Sequence, residues 1–276
     1  MRGPLFFAGN GTSTSGNAQV MDGSRGSEVT IRPAATVMLA RDIGAGPEIY
    51  MLRRSARSAF LPEMFVFPGG AVDALDATLA QKRLLRNLEV PSAEREPADP
   101  SFEVAALREA FEEAGILLTA GSDGTPARLD AAQLREQRAA LLAGKTTFGA
   151  LLDAFGVVLD ARRLWHFSHW ITPPTEGYRF DTHFYLAFAP LGQAASSDEI
   201  ETHAGLWIKP AEALRLNADG NFPMIFPTIM HLLRLEPYAT LDAMHQFAMT
   251  KSIYAVEPVP AGERRFAVPA GLDERW

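Results

Sequence analysis

Three glutamates stand within five positions of the segment REAFEEAGI, which covers residues 108–116. At about 100° per residue, Glu109, Glu112 and Glu113 fall within an arc of roughly 100° on one face of a helix. Like charges at this spacing repel one another, so a solvated acidic face is one interpretation. A hard divalent cation is the other, because Mg²⁺ takes carboxylate oxygens together with substrate phosphates. The residue types therefore indicate either a solvated face or a metal-binding face.

The helix that carries these glutamates has its own start and stop signals. Asp99 and Pro100 suit the N-cap and the first helical position, and Gly115 suits the residue that follows the last turn. Small and apolar residues occupy the other side of the predicted helix, namely Ala106, Leu107, Ala110, Phe111 and Ala114. We therefore expect the side of this helix opposite the glutamates to pack against the sheet.

The composition excludes several classes of protein. The chain has 276 residues, no cysteine and a net charge of −7, with 33 acidic and 26 basic side chains. There is thus no disulfide framework and no thiolate metal site, and the acidic balance argues against a general nucleic-acid binder. No apolar run is long enough to cross a bilayer, and the apolar stretch in MRGPLFFAGN is too short for a signal peptide. We expect a cytoplasmic protein with no membrane partner.

Two motifs carry a family resemblance. The glutamate segment follows FPGG (67–70), and its pattern R-E-apolar-x-E-E-x-G-apolar resembles the second half of the box of the Nudix hydrolase family. Asp76 stands where that box has a glutamate, and 31 residues separate it from Arg108, so a long insert interrupts the box. The resemblance implies an α/β/α sandwich with a mixed sheet and an enzyme that cleaves diphosphates linked to another moiety.

The interrupted box points to one branch of that family. Residues 53–73, 170–187 and 206–214 resemble the long-insert branch, which includes the peroxisomal acyl-coenzyme A diphosphatase of animals. The shorter coenzyme A diphosphatases have an arginine where Arg54 stands. They also have a second arginine and a glycine at positions that Ala59 and Glu63 fill here, so this chain departs from their signature.

The resemblance also implies roles for individual residues. Glu109, Glu112 and Glu113 would bind Mg²⁺ or Mn²⁺, and Arg108 would fix the helix or the first glutamate. Further candidates are Arg54, Gly69 and Gly70 for substrate binding, and Glu199 and Glu201 for the catalytic base. A solvated loop is the alternative for Glu199 and Glu201, and surface charge is the alternative for Arg53, Arg54 and Arg57.

The chain divides into an arm and one domain. Residues 8–28 are rich in Gly, Ser, Thr and Asn, and we predict a disordered arm over residues 1–28. Residues 29–276 are predicted to form a single Nudix hydrolase domain, with insertions at about 77–98 and 120–163 and C-terminal helices from about 227. Within it, the glycines of FVFPGGAVD are expected to form a turn after a short strand.

Three histidines lie on predicted strands. His166 and His169 belong to LWHFSHWITP (164–173), and His183 belongs to RFDTHFYLAFAP (179–190). A regular two-residue strand period places His166 and His169 on opposite faces of the sheet. The pattern therefore predicts core or groove histidines rather than a shared metal site.

Three functional hypotheses remain. The first is a metal-dependent diphosphatase that cleaves coenzyme A or acyl-coenzyme A to 3′,5′-ADP and (acyl)phosphopantetheine. The second is the same chemistry on another nucleoside-diphosphate-linked substrate, such as a dinucleotide or a nucleotide sugar. The third is a catalytically silent module that senses a nucleotide. All three predict a small-molecule partner.

Overall fold

A computed structural model describes residues 7–8, 30–58, 61–85, 98–125, 127–197, 202–262, 265–272 and 276. The strands are β1 Phe7–Ala8, β2 Ile31–Asp42, β3 Pro47–Arg54, β4 Phe65–Val66, β5 Gly69–Ala71, β6 Leu84–Leu85, β7 Thr119–Gly121, β8 Val157–Asp160, β9 Leu164–Ile171, β10 Arg179–Phe188, β11 Thr202–Ile208, β12 Ala255–Val256, β13 Val259–Pro260 and β14 Arg265–Ala267. The helices are α1 Ala74–Arg83, α2 Pro100–Ala114, α3 Ala131–Leu142, α4 Phe148–Phe155, α5 Pro210–Ala218, α6 Phe226–Leu235 and α7 Leu241–Thr250.

A mixed sheet forms the middle layer of the molecule. Its strands run in the order β11-β3-β2-β10-β9-β12, with β4 beside β3 and β5 beside β2. The pairs β2–β10 and β9–β12 are parallel, and the other pairs in this sheet are antiparallel. The short strands β6, β7 and β8 form a separate sheet beside it.

Helices cover both faces of the sheet. On one face, α2, α3 and α4 share a buried cluster with side chains of β2, β3 and β10. On the other face, α5, α6 and α7 share a second cluster with the alternate side chains of the same strands. Because successive residues of a strand point to opposite faces, Val37 joins the first cluster and Met38 the second. The predicted α/β/α sandwich is confirmed.

Helix α2 begins and ends where its capping residues predict. The Asp99 carboxylate accepts a hydrogen bond from the Ser101 N–H at 2.8 Å, and Pro100 is the first helical residue. Gly115 closes the helix in the left-handed conformation, with φ of 70°, and its N–H donates to Phe111 O. Both ends of the helix that carries the glutamates are therefore set by local sequence.

The glycines of FPGG are not in a turn, contrary to the sequence prediction. Gly69 and Gly70 lie in β5, where they pair with Thr36 and Ala35 of β2. The reason for glycine is close approach rather than an unusual φ. A Cβ at Gly69 would lie 2.6 Å from Ala35 O, and a Cβ at Gly70 would clash with the Glu109 carboxylate.

A β-bulge changes the orientation of the histidines. In the β9–β10 ladder, His169 pairs with His183, but Tyr185 pairs with His166, so the register shifts at Phe167. Phe167 and Ser168 consequently both face the α6 side, where each approaches His231. His166 and His169 then share the opposite face. The prediction that they point in opposite directions is wrong, because it assumed a regular strand.

The predicted insertions contribute to the folded domain. Within 77–98, the described residues 77–85 continue α1 and form β6, while 86–97 lie outside the described residues. Within 120–163, α3, α4 and β8 contribute Leu151, Leu152 and Leu159 to the core cluster beside α2. Of the predicted arm, only residues 7–8 are described, and they form β1, which pairs with β14. Residues 1–6 and 9–28 lie outside the described residues. None of the described helices is long and apolar enough to span a membrane.

Candidate active site

Arg108 is the centre of the site. Its Nε and Nη2 donate to the two oxygens of Asp76 at 3.1 Å each, and Nη2 also donates to Ala71 O at 2.9 Å. Its Nη1 donates to Glu109 Oε1 at 2.7 Å and to Glu112 Oε2 at 2.9 Å. These bonds use all five N–H donors of the guanidinium. Arg108 therefore fixes two of the three glutamates from within the same helix.

Asp76 is the partner whose role the sequence left open. It is fully buried, and its Oδ2 also accepts from the Asp73 N–H at the start of α1. The fork-to-fork contact with Arg108 is the geometry in which arginine and carboxylate bind most strongly. Asp76 therefore binds the interrupted first half of the box to the glutamate helix, and its place in the family pattern was the signal for this role.

Burial changes the acidity of the glutamates. It raises the pKa of Glu109 to about 7, although the nearby charge of Arg108 opposes the rise. Burial also raises the pKa of Glu112, again against Arg108. Burial disfavours the charge on Arg108 itself, but the hydrogen bond with Asp76 and the surrounding carboxylates outweigh it and raise its pKa. One guanidinium thus faces more negative charge than it neutralises.

Glu113 lies against the glycines of β5. Its Oε2 accepts a hydrogen bond from the Gly69 N–H at 2.8 Å, while the Glu109 carboxylate lies on Gly70. A side chain at Gly70 would displace Glu109. The strand β5 therefore aligns the glutamate face with the backbone of FPGG.

The donors suit a hard divalent cation. Glu109, Glu112 and Glu113 offer carboxylate oxygens on one face of α2, as Mg²⁺ and Mn²⁺ prefer. Burial raises the pKa of Glu109, and the neighbouring carboxylates of Glu112 and Asp76 add to the rise. A cation on this face would stabilise the charged carboxylate. The residues present therefore fit such an ion.

Arg138 holds the C-terminal end of the glutamate helix, a role that the sequence did not indicate. Its Nε and Nη2 donate to Glu112 O at 3.0 and 2.8 Å, and its Nη1 donates to Ser196 Oγ at 2.9 Å. Ser196 N–H in turn donates to Ala114 O. The loop before β11 is thus anchored at the end of α2. Glu199 and Glu201, the predicted candidates for the base, lie outside the described residues.

A largely apolar cavity of about 640 Å³ opens beside the glycines. Gly69, Gly70 and Ala71 form part of its wall. Aromatic side chains on the α6 face of the sheet form much of the rest, namely Phe67, Trp170, Phe180, Phe184 and Phe226. The loop between β9 and β10 contributes Thr172, Pro173, Glu176 and Tyr178. The cavity therefore borders β5, the strand that also contacts Glu109 and Glu113, and its lining suits an apolar group.

Arg54 is placed on the wall of this cavity. Its Nε and Nη2 donate to Ser58 Oγ at 3.2 and 2.8 Å. The neighbouring Arg53 is instead paired with Glu63 and is about half exposed. Arg57 is exposed and is not among the residues that line the cavity. Of the three arginines, only Arg54 is positioned to meet a molecule in this cavity.

Glu63 occupies an unusual backbone conformation at the cavity's rim. Its φ is 64°, and that of Leu61 is 51°, both in the left-handed region that favours glycine. The coenzyme A signature has a glycine at the position of Glu63. The backbone at Glu63 therefore has the conformation that favours glycine, although the residue here is a glutamate. The Glu63 side chain pairs with Arg53.

Comparisons with known proteins match this sequence to one protein family and to several of its members. Residues 31–235 match the family described as the NUDT19 Nudix domain. The chain is 31% identical to the acyl-coenzyme A diphosphatase NUDT19 of Gallus gallus, over 82% of this chain and 73% of that protein. It is 25% identical to the human protein of the same description, over 77% of this chain and 66% of that protein.

A solved structure shares the fold. The crystal structure of a Nudix hydrolase from Alicyclobacillus acidocaldarius superimposes with a TM-score of 0.68 at 30% sequence identity. The match covers 83% of this chain and 100% of that one.

Proposed function

This chain belongs to the Nudix hydrolase family, and from that premise we propose that it is a metal-dependent diphosphatase of coenzyme A or acyl-coenzyme A. The products would be 3′,5′-ADP and (acyl)phosphopantetheine. The family and the diphosphatase chemistry follow from the comparisons. The metal dependence and the substrate are our proposals, and the residues around the cavity support them.

The observation that carries the substrate proposal is that the cavity and the glutamate face share the two glycines of β5. Gly69 and Gly70 line the cavity, and the same two residues contact Glu113 and Glu109. A substrate held there would place its diphosphate near the carboxylates and an apolar segment among Phe67, Trp170 and the neighbouring aromatic rings. The acyl chain of acyl-coenzyme A is such a segment, and the pantetheine arm carries it at one end of the diphosphate. Sugar and dinucleotide substrates carry more polar groups in that place.

Glu109, Glu112 and Glu113 would hold the metal ions. A bound divalent ion would neutralise phosphoryl oxygens and acidify a water molecule. Arg108 and Asp76 keep Glu109 and Glu112 in position, and Gly69 holds Glu113. Gly70 lets the Glu109 carboxylate lie directly on the strand, since any larger residue would occupy its place.

Arg54 would bind a phosphate of the substrate. It lies on the cavity wall, and a guanidinium can bind a phosphate through two parallel hydrogen bonds. Coenzyme A has a 3′-phosphate that simple ADP conjugates lack, so Arg54 is our candidate for its recognition. Glu199 and Glu201 are our candidates for the base, because the loop that precedes them is anchored at the end of the glutamate helix by Arg138 and Ser196.

A substrate panel tests the proposal. Purified protein would be incubated with Mg²⁺ or Mn²⁺ and coenzyme A, acyl-coenzyme A, 3′-dephospho-coenzyme A, ADP-ribose, a dinucleotide and a nucleotide sugar, with products identified by mass spectrometry. We expect 3′,5′-ADP from the first two substrates, and only when metal is present. Faster cleavage of ADP-ribose or a dinucleotide would refute the coenzyme A proposal and favour the second hypothesis. No turnover of any member would favour the silent sensor.

A further inference from the structure

A second group of chemically active side chains lies on the α2 face of the sheet. His169 Nε2 is 2.5 Å from Asp181 Oδ1, and His183 Nε2 is 3.9 Å from the same oxygen. One nitrogen or oxygen from each of the three residues falls within 4.8 Å of the other two. None of the three is used by the diphosphatase site. The group is defined here as the histidine cluster, consisting of His169, Asp181 and His183.

The fold brings this cluster together from two neighbouring strands. His169 of β9 stands directly beside His183 of β10, and their rings stack with centroids 4.2 Å apart. Asp181 is two residues before His183 on β10 and therefore points to the same face. The bulge at Phe167 brings His166 to this face as well, where its Nε2 lies 2.9 Å from His183 Nδ1.

The hydrogen bonds around His183 suit metal binding. His183 Nδ1–H can donate to His166 Nε2, which leaves His183 Nε2 unprotonated on the side of Asp181. An ion bound here would replace the proton shared by His169 Nε2 and Asp181 Oδ1, because ligating groups must be deprotonated. A ligating histidine whose other nitrogen donates to a neighbouring group is the usual arrangement around protein-bound metals.

We propose that His169, Asp181 and His183 form a binding site for a divalent transition metal of the zinc class, separate from the glutamate site. Two imidazole nitrogens and one carboxylate suit Zn²⁺ and similar ions, whereas Mg²⁺ prefers oxygen ligands. In a tetrahedral Zn²⁺ site with bonds near 2.0 Å, ligand atoms stand about 3.3 Å apart. The distances of 2.5 Å from His169 to Asp181 and 3.9 Å from His183 to Asp181 would therefore each change by less than about 1 Å. Asp181 is 36% exposed, which leaves a route for the ion.

The two sites are neighbours but do not overlap. His183, Ala35 and Gly70 stand side by side in consecutive strands, and Gly70 supports Glu109. Since adjacent strands lie about 4.8 Å apart, His183 and Gly70 are separated by roughly 10 Å. Phe102 of α2 covers the His183 ring, with centroids 4.2 Å apart. The histidine cluster therefore has its own surroundings and its own ligand chemistry.

Metal at this site would connect β9 to β10 next to the cavity. The loop between these strands contributes Thr172, Pro173, Glu176 and Tyr178 to the cavity wall. A metal bridge from His169 to Asp181 and His183 would restrict that loop at its base. The same residues without metal would form only a hydrogen-bonded network, and the experiment distinguishes these two cases.

Zinc binding to a tag-free protein tests the proposal. The parent protein would carry Glu109→Gln, Glu112→Gln and Glu113→Gln, so that the glutamate site cannot take the ion. Equilibrium dialysis should find one Zn²⁺ per chain with a Kd in the micromolar range or tighter, and zinc-edge X-ray absorption should report two imidazole ligands. No binding below about 100 µM would overturn the proposal, because a preformed three-ligand site should bind far more tightly.

Variants assign the ligands. In the same parent, Asp181→Asn and His183→Gln should each weaken Zn²⁺ binding by at least about 100-fold, and His166→Gln by about 10- to 100-fold as an outer partner. His245→Gln, on the other face of the sheet in α7, should bind as the parent does. Unchanged binding in Asp181→Asn would refute the site. This variant is the decisive one if His183→Gln does not fold, because its side chain is isosteric and partly exposed.

Discussion

Arg108 and Asp76 form a two-bond ion pair across 32 positions of sequence, with Nε and Nη2 each 3.1 Å from one carboxylate oxygen. Asp76 is fully buried and Arg108 nearly so. The pair joins the start of α1 to the glutamate helix and holds the side chain that positions Glu109 and Glu112. A buried pair of this kind is costly to break, because each partner would remain charged without the other.

Asp76→Ala should therefore lower the free energy of unfolding by about 3–5 kcal/mol, as measured by chemical denaturation. The control is Asp153→Ala, which removes the partner of Arg83 from a pair that is largely exposed. That variant should lower the free energy of unfolding by about 1 kcal/mol or less. Equal effects in the two variants would show that the buried pair does not stabilise the fold as described.

Glu113→Gln should reduce turnover by at least about 100-fold, since metal charge stabilisation is worth several kcal/mol. Glutamine keeps an oxygen for the Gly69 N–H, so stability without metal should be unchanged or slightly higher. The matched control is Glu136→Gln on the exposed side of α3, which should retain full turnover. Near-normal activity of Glu113→Gln in a Mg²⁺ titration would remove Glu113 from the proposed metal ligands.

Arg54→Ala should selectively lower kcat/KM for coenzyme A. A charged hydrogen bond to phosphate is worth roughly 1.5–3 kcal/mol, or about ten- to a hundredfold in kcat/KM. The value of kcat/KM for coenzyme A should fall by that factor, while the value for 3′-dephospho-coenzyme A should change little. Arg135→Ala on the exposed side of α3 makes the same change of charge away from the cavity. An equal fall in kcat/KM for both substrates would indicate that Arg54 does not bind the 3′-phosphate.

Glu63→Gly should be more stable than Glu63→Ala by about 1–2 kcal/mol. Both variants remove the exposed ion pair with Arg53, so their difference isolates the cost of a side chain at a φ of 64°. Thermal unfolding of the two proteins measures it. Identical melting temperatures would mean that the turn carries no strain at this position.

Stability should fall in acid because His231 is buried in its neutral form. It accepts from Ser168 Oγ–H through Nε2 and donates through Nδ1 to Pro227 O, each at 2.6 Å. Burial lowers its pKa to about 3, from an ordinary value of 6.5. At pH values between these two pKa values, His231 is protonated in the unfolded chain but neutral in the folded protein. The contribution of His231 to stability is therefore full above pH 6.5 and is lost as the pH falls towards 3, by at most about 1.4 kcal/mol per pH unit. Glu109, whose pKa burial raises from 4.5 to about 7, acts in the opposite direction between those two pH values.

His231→Gln checks this assignment. It should be less stable at neutral pH, yet its stability should depend less steeply on pH between 6.5 and 3. His183, whose pKa is also lowered, remains in the variant and keeps part of the dependence. A slope identical to that of the natural chain would exclude His231 as a source of the acid sensitivity. Denaturation curves at several pH values supply the measurement.

Local sequence was sufficient for the elements that carry the proposed chemistry. Asp99, Pro100 and Gly115 determine the ends of α2, because capping depends on a few neighbouring backbone groups. The spacing of Glu109, Glu112 and Glu113 determines that they share a face, because the helical period is fixed. The α/β/α sandwich and the family were also predictable, since the motifs lie on short stretches of the chain.

Only the tertiary structure determined which side chains come into contact when they are far apart in the sequence. Asp76 and Arg108 come together through an insert whose path no local pattern specifies, and Arg138 reaches Glu112 O from another predicted insertion. The shared face of His166 and His169 depends on one extra residue in β9, which changes the side-chain alternation without any sign in the sequence. Sequence periodicity records only which side of an element a residue occupies. The partner on that side is set by packing between elements, and a single bulge is enough to change it.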